Sequence, residues 1–275
     1  MGIIRILDES VSNIIAAGEV VENPASMIKE MIENSLDAKA TMIKIEVFKS
    51  GVDVKISDNG IGMDKDDTLL SVERHATSKI SKKEDVFNLK TYGFRGEALS
   101  SIAAVSKLTI LTRTKDSSVG YKISSYGGVV RNFEEVSKNV GTEVEVRDLF
   151  YNTPARRKFM KSDAAEATVI IDMIQKIAIY YSHIAFRLIN NKQTVIATPG
   201  TGDILTTIQS IYPSYRELIE IHGDYVHGFI SDPGSTKSNK RGQIFFVNGR
   251  YISSSTIEKG IIKGYGDRIF SGHPI

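Results

Sequence analysis

The sequence predicts an α+β fold, with helices laid on an antiparallel or mixed sheet. Three observations predict it. Ile28, Met31, Ile32 and Leu36 recur at the 3.6-residue period of one apolar helix stripe. Ile43, Ile45 and Val47 then alternate, the chain turns at Ser50-Gly51, and Val52, Val54 and Ile56 alternate again, which is a hairpin signature. The same alternation resumes at Val140-Gly141-Thr142-Glu143-Val144-Glu145-Val146.

In chain order, a short apolar lead gives way to a helical pattern from Ser12. The stripe helix covers 23–38: Asn23 is a favoured N-cap and Pro24 suits the first turn. After the hairpin, 64–74 has helical spacing. Residues 75–92 are polar and poorly periodic, and read as a mobile loop over a site. A small-residue-rich helix is expected at 96–105 and a strand at 108–112. Gly127-Gly128 marks a turn between strands in the polar stretch 115–139. A length of 275 residues suggests two domains, with a boundary near Asn152-Thr153-Pro154, hence 1–152 and 153–275. Beyond it a helix is expected at 163–181, with Ile170, Ile174, Ile177 and Ala178 on one side. A hairpin around Asn190-Asn191 follows, then a helix capped by Asp203, strands at 225–230 and 243–247, and a last helix from Ser255.

Composition narrows the function classes. A hydrophobic fraction of 41% and a charged fraction of 25% are ordinary for a soluble globular protein. No apolar run reaches the roughly 18 residues a membrane span needs. The start, Met1-Gly2-Ile3-Ile4-Arg5-Ile6, lacks a signal-peptide layout, and Ile6 stands where a myristoylation signal needs Ser or Thr. With no cysteine, disulfides, zinc–thiolate sites and thiol nucleophiles are excluded. A net charge of +2 means that any nucleic-acid affinity must come from a local patch.

Three stretches carry candidate chemistry. Glu30, Asn34 and Asp37 fall within roughly 60° of each other on a second face of the stripe helix. A carboxylate there can take a proton, and a carboxamide oxygen can ligate a hard cation such as Mg²⁺; a solvated polar face would show the same spacing. Asp58-Asn59-Gly60-Ile61-Gly62-Met63 follows a strand and would present a carboxylate at a pocket rim, although Asp-Asn-Gly is also a frequent surface turn. Lys90-Thr91-Tyr92-Gly93-Phe94-Arg95-Gly96-Glu97-Ala98-Leu99 places free backbone N–H groups before a helix, a plausible anion cradle.

In this order the three stretches resemble the successive motifs of the GHKL ATPases. Four segments narrow the resemblance to the MutL DNA mismatch repair family: Ile14-Ile15-Ala16-Ala17-Gly18-Glu19-Val20-Val21, Glu33-Asn34-Ser35-Leu36-Asp37-Ala38, Arg74-His75-Ala76-Thr77-Ser78-Lys79-Ile80, and the run from Asp148 to Phe159 that contains Tyr151-Asn152-Thr153-Pro154 and Arg156-Arg157-Lys158. The resemblance implies a Bergerat-type α/β sandwich. A smaller α/β domain resembling the ribosomal S5 domain 2-like fold would follow, incomplete at the C-terminus.

It also implies ATP and Mg²⁺ as cofactors. Glu30 would be the general base that activates water, and Asn34 the Mg²⁺ ligand. Asp58 would read adenine, whose N6 amine donates where guanine presents an oxygen. Gly60 and Gly62 would let the base approach the backbone, and Thr142 would put a hydroxyl near the adenine, although a buried strand threonine would look the same; Asp37 and Met63 would also bind the nucleotide. Thr77, Ser78 and Lys79 of an ATP lid, with Gly93, Phe94, Arg95, Gly96, Glu97, Ala98 and Leu99, would hold the phosphates; Arg95 could instead pair with an acid. His75 could be taken for a catalytic base, but reads rather as a group that packs or hydrogen-bonds at the lid hinge. The implied partners are a MutS-type mismatch recognition protein, DNA and a second copy in an ATP-dependent homodimer, with no membrane. The implied location is cytoplasmic, or nuclear in a eukaryote.

DNA candidates are Arg250, Lys259, Lys263 and Arg268 on and around the last helix; the basic triplet 156–158 is either a solvated helix start or part of a phosphate groove. A histidine kinase would need a phosphoacceptor domain, and a type II topoisomerase subunit shares the fold without the segments 33–38 and 74–80 in this form. A non-enzymatic binding module is the remaining class. The chain ends at Ser271-Gly272-His273-Pro274-Ile275. The resemblance places a γ-phosphate lysine in a later strand, so slow hydrolysis by these 275 residues is expected.

Overall fold

The computed structural model describes residues 8–74, 76, 96–215, 217–269 and 271–275. The chain enters through α1 (Glu9–Val20) and α2 (Pro24–Asp37). The start of α2 is fixed by a reciprocal capping box. Asn23 Oδ1 accepts the Ser26 N–H at 2.9 Å, and the Asn23 N–H donates to Ser26 Oγ at 3.1 Å. The expected stripe then goes inward: Met27, Ile28, Met31 and Ile32 are buried, and Leu36 packs against the same core.

Strands β1 (Met42–Phe48) and β2 (Asp53–Asp58) form the expected hairpin, with Ile45 opposite Ile56. Its turn uses a left-handed Gly51, where a Cβ would meet Pro24 Cβ at 2.5 Å, so the hairpin end sits tight on α2. Short helices α3 (Lys65–Leu70) and α4 (Ala98–Ala104) come next. They are followed by β3 (Lys107–Arg113), β4 (Gly120–Tyr126), β5 (Val129–Val136) and β6 (Gly141–Arg147). Helices α5 (Pro154–Lys158) and α6 (Asp163–Tyr180) lead to β7 (Ala185–Asn190) and β8 (Gln193–Ala197).

These strands make one eight-stranded mixed sheet in the order β5-β4-β3-β6-β2-β1-β7-β8. Strand β7 runs parallel to β1, with Leu188 opposite Ile45. The sheet therefore continues past residue 152, where a boundary was expected from sequence.

One sheet face is apolar and covered by helices: Ile43, Ile45, Val47, Val54, Ile56, Leu108, Ile110, Val144 and Val146 are buried against α1, α2, α4 and α6. The other face carries charge pairs such as Lys55–Glu143 at 2.8 Å and Lys44–Glu46 at 2.9 Å. Hydrogen bonding to Glu143 raises the Lys55 pKa, outweighing its partial burial. This division is the usual consequence of period-2 alternation in a two-layer fold.

Beyond the sheet lie α7 (Ile204–Ile211), β9 (Leu218–His222), β10 (His227–Ser231), β11 (Thr236–Lys237), β12 (Phe245–Val247), β13 (Arg250–Ile252), α8 (Ser255–Tyr265) and β14 (His273–Pro274). The Asp203 cap falls where expected, its carboxylate accepting the Leu205 N–H, and Ser254 caps α8 by accepting the Ile257 N–H. Among the described residues the strands here pair in twos: β9 with β10, β11 with β14 and β12 with β13. No described helix is long and apolar enough to cross a membrane.

Candidate functional site

The C-terminal half of α2, the end of β2 and the start of β6 meet at one corner of the sheet. On α2, Glu30, Asn34 and Asp37 are half-buried, set apart from the fully buried stripe. Asp58 closes β2, and its carboxylate is held by three donors. Oδ1 accepts the N–H of Gly60 at 2.9 Å and of Thr142 at 3.2 Å; Oδ2 accepts the Ser35 hydroxyl at 2.8 Å. An ionised carboxylate has about four acceptor positions, so one remains on Oδ2.

The turn after Asp58 is tied down on every side. Asn59 Oδ1 accepts the N–H groups of Thr41 and Met42, both at 2.9 Å. The Ile61 N–H donates to the Ala38 carbonyl at 2.9 Å, and the Met63 N–H to Thr112 Oγ1 at 2.8 Å. Thr112 and Thr142, facing each other across β3 and β6, bring their hydroxyls within 3.0 Å. Three glycines permit this closeness. A Cβ on Gly60 would lie 2.7 Å from the Ala38 carbonyl oxygen. On Gly62, at φ +73°, it would lie 2.1 Å from the Arg113 carbonyl oxygen, and on Gly141, at φ +113°, 2.1 Å from that of Asp58. No side chain can stand between these backbones, so the turn presents bare main chain beside the carboxylate.

Lys138, from the β5–β6 connection, is a nearby cation. Burial lowers its pKa, against the opposing pull of the Glu143 and Asp58 carboxylates. Gly96 adopts φ +62° and Glu97 is the N-cap of α4; the Glu97 carbonyl accepts the Ser101 N–H, with Ala98 and Leu99 in the first turn. His75, Thr77, Ser78, Lys79, Gly93, Phe94 and Arg95 lie outside the described residues, as does nearly all of the expected loop 75–92. A cavity of about 490 Å³ lined by Pro213, Ser214, Glu217 and Ser235 lies away from this corner and contains none of the expected site residues.

The family model described as a histidine kinase-, DNA gyrase B- and HSP90-like ATPase matches residues 22–148, and that of the DNA mismatch repair protein C-terminal domain matches residues 214–274. The DNA mismatch repair protein MutL of Clostridium acetobutylicum is 46% identical over 265 residues, which is 94% of this chain and 43% of the relative. The chain belongs to the MutL DNA mismatch repair family.

Solved structures agree on the fold. The Aquifex aeolicus MutL ATPase domain complexed with ADP superposes with a TM-score of 0.72 at 27% identity, over 89% of this chain and 88% of that one. The N-terminal domain of a DNA repair protein superposes with a TM-score of 0.79 at 28% identity, over 95% of this chain and 84% of that one. The GHKL fold expected from the motifs is therefore the fold of this MutL-family chain, and it carries a GHKL ATPase domain. The chain spans less than half the length of the curated MutL relatives it matches.

The corner brings together Asp58, Gly60, Gly62, Met63 and Thr142, next to the helix that carries Glu30, Asn34 and Asp37. Sequence reasoning missed Ser35, Thr112 and Gly141. Ser35 had a visible signal: it is a hydroxyl set in the apolar stripe, and a buried hydroxyl needs a partner. The basic triplet divides: Arg157 and Lys158 are exposed on the short α5, whereas the guanidinium of half-buried Arg156 donates to the Ile14 carbonyl at 3.2 Å and lies against Gly18, pinning α5 to α1. Arg250, Lys259, Lys263 and Arg268 are exposed, on β13, on α8 and in the turn after it.

Proposed function

We propose that this chain is the ATP-binding and hydrolysing module of a MutL-type mismatch repair protein. The observation that carries the reading is the Asp58 carboxylate, fixed by Ser35, Gly60 and Thr142 with one acceptor position left and bare backbone beside it. That open acceptor position fits an adenine, whose N6 amine donates and whose flat face needs room against main chain.

In this reading Glu30 orients and deprotonates the attacking water. The carboxamide oxygen of Asn34 holds Mg²⁺, which uses few protein ligands and supplies charge neutralisation at the phosphates. Segments 77–79 and 93–99 cover and cradle the phosphates. Nucleotide-dependent ordering of the lid and association of two copies would couple mismatch recognition by a MutS-type protein to later repair. DNA would contact Arg250, Lys259, Lys263 and Arg268. A second, S5-like part belongs to the same proposal, with its start after the eight-stranded sheet rather than at 153.

The test is Asp58→Asn. Two backbone N–H donors point at Oδ1, so the amide oxygen must stay there and the NH₂ must take the Oδ2 position. It would then meet the adenine amine donor to donor. ATP binding should weaken by roughly ten- to hundredfold, the worth of one hydrogen bond to a charged group. The readout is competition of ATP and GTP against a fluorescent nucleotide. Wild type should prefer ATP; equal affinity for both nucleotides, or an unchanged Asp58→Asn variant, removes Asp58 as the base reader.

A further inference from the structure

We propose that the β9–β10 hairpin binds a Zn²⁺-class divalent ion through Glu220, His222 and His227. The hairpin lies outside the nucleotide corner and the proposal does not depend on it. His222 is directly opposite His227 in the antiparallel register, and Glu220 stands two residues before His222, so all three side chains leave the same face. The Gly223 N–H donates to the Val226 carbonyl at 2.7 Å, making 223/226 a hydrogen-bonded pair. The next pair, His222/His227, is then of the non-hydrogen-bonded kind, which brings side chains closest.

The distances suit one ion. His222 Nδ1 and His227 Nδ1 are 3.0 Å apart, with the rings stacked at 4.6 Å between centroids. Glu220 Oε1 is 3.3 Å from His222 Nε2 and 3.9 Å from His227 Nε2. One ligand atom from each residue can be chosen so that all three lie within 4.8 Å of one another. Bonds of about 2.0–2.2 Å in a tetrahedron put donors roughly 3.3–3.6 Å apart, so the two stacked rings must turn about the soft imidazole χ2 to aim one nitrogen each at the ion beside Glu220. Two imidazoles and one carboxylate are borderline-soft donors that favour Zn²⁺ and its first-row neighbours over Mg²⁺. The fourth position would be left to water.

The hairpin gives such a clip a structural use. It is a two-stranded sheet of its own, marginal without further support, and its turn exposes Tyr225 almost fully. Cross-linking the strands next to the turn stabilises the folded hairpin by mass action.

The experiment uses the tag-free chain with no nucleotide and excess Mg²⁺. Zn²⁺ binding is followed by calorimetry and Co²⁺ binding by visible absorption. One saturable site is expected, with a dissociation constant below about 100 µM. His222→Ala and His227→Ala should each weaken it at least about tenfold, and Glu220→Gln less. Zn²⁺ should raise the melting temperature of wild type but not of the double histidine variant. The three side chains are exposed, so the variants should keep the wild-type circular dichroism. Absence of a saturable site, or equal binding by wild type and the His222→Ala/His227→Ala double variant, overturns the proposal.

Discussion

Glu30→Ala is expected to slow ATP hydrolysis by about 10²-fold or more, the usual contribution of a general base, while ATP affinity changes little. Glu30 sits one helical turn before Asn34 on the half-buried face of α2, away from the stripe of Met27, Ile28, Met31 and Ile32. Its loss therefore removes a proton acceptor rather than one of the core side chains of that stripe. The measurement is phosphate release at saturating Mg-ATP, run beside equilibrium binding, in a protein long enough to turn over. Glu30→Gln keeps the size and removes the base, so it should behave like Ala. Turnover equal to wild type in either variant ends the assignment.

Gly62→Ala should damage both stability and nucleotide binding. The position holds φ +73°, and an added Cβ would lie 2.1 Å from the Arg113 carbonyl oxygen and 2.5 Å from its carbon. Both are backbone atoms, so no rotamer change relieves the contact, and β3 or the turn must move. Such a shift pulls on the Met63–Thr112 hydrogen bond and, through Thr142, on Asp58. A cost of about 2–4 kcal/mol is expected, combining left-handed strain with the clash. Gly202→Ala is the matched control: its φ is +86°, but nothing lies within 4 Å of the added Cβ, so it carries only the conformational part, about 1 kcal/mol. Chemical denaturation of the two variants compares them directly. Equal losses would show that φ alone sets the cost at position 62.

The features legible in sequence were those that depend on local period. The α2 stripe, its Asn23 cap and the β1–β2 alternation all follow from 3.6- or 2-residue spacing, and the structure places them as expected. Pairings between distant segments were not legible. Strand β7 joins β1 across some 140 residues, and nothing in Phe186 or Leu188 names that partner. The strands β9 and β13 were missed because five and three residues are too short a run for a two-residue period to show. Arg156 was misread because a basic run looks solvated until its Ile14 acceptor is known. At the site, motif order located Asp58 and its glycines, but the Ser35 and Thr112 contacts required the fold.

The α2–β2–β6 corner as an adenine-nucleotide site is tested most directly by isothermal titration of the 275-residue chain with a non-hydrolysable ATP analogue, with and without Mg²⁺. One molecule is expected to bind per chain, more tightly with Mg²⁺ than without, and the GTP analogue should bind at least about tenfold more weakly, the worth of the Asp58 hydrogen bond. No binding, or equal binding of the ATP and GTP analogues, would contradict the account.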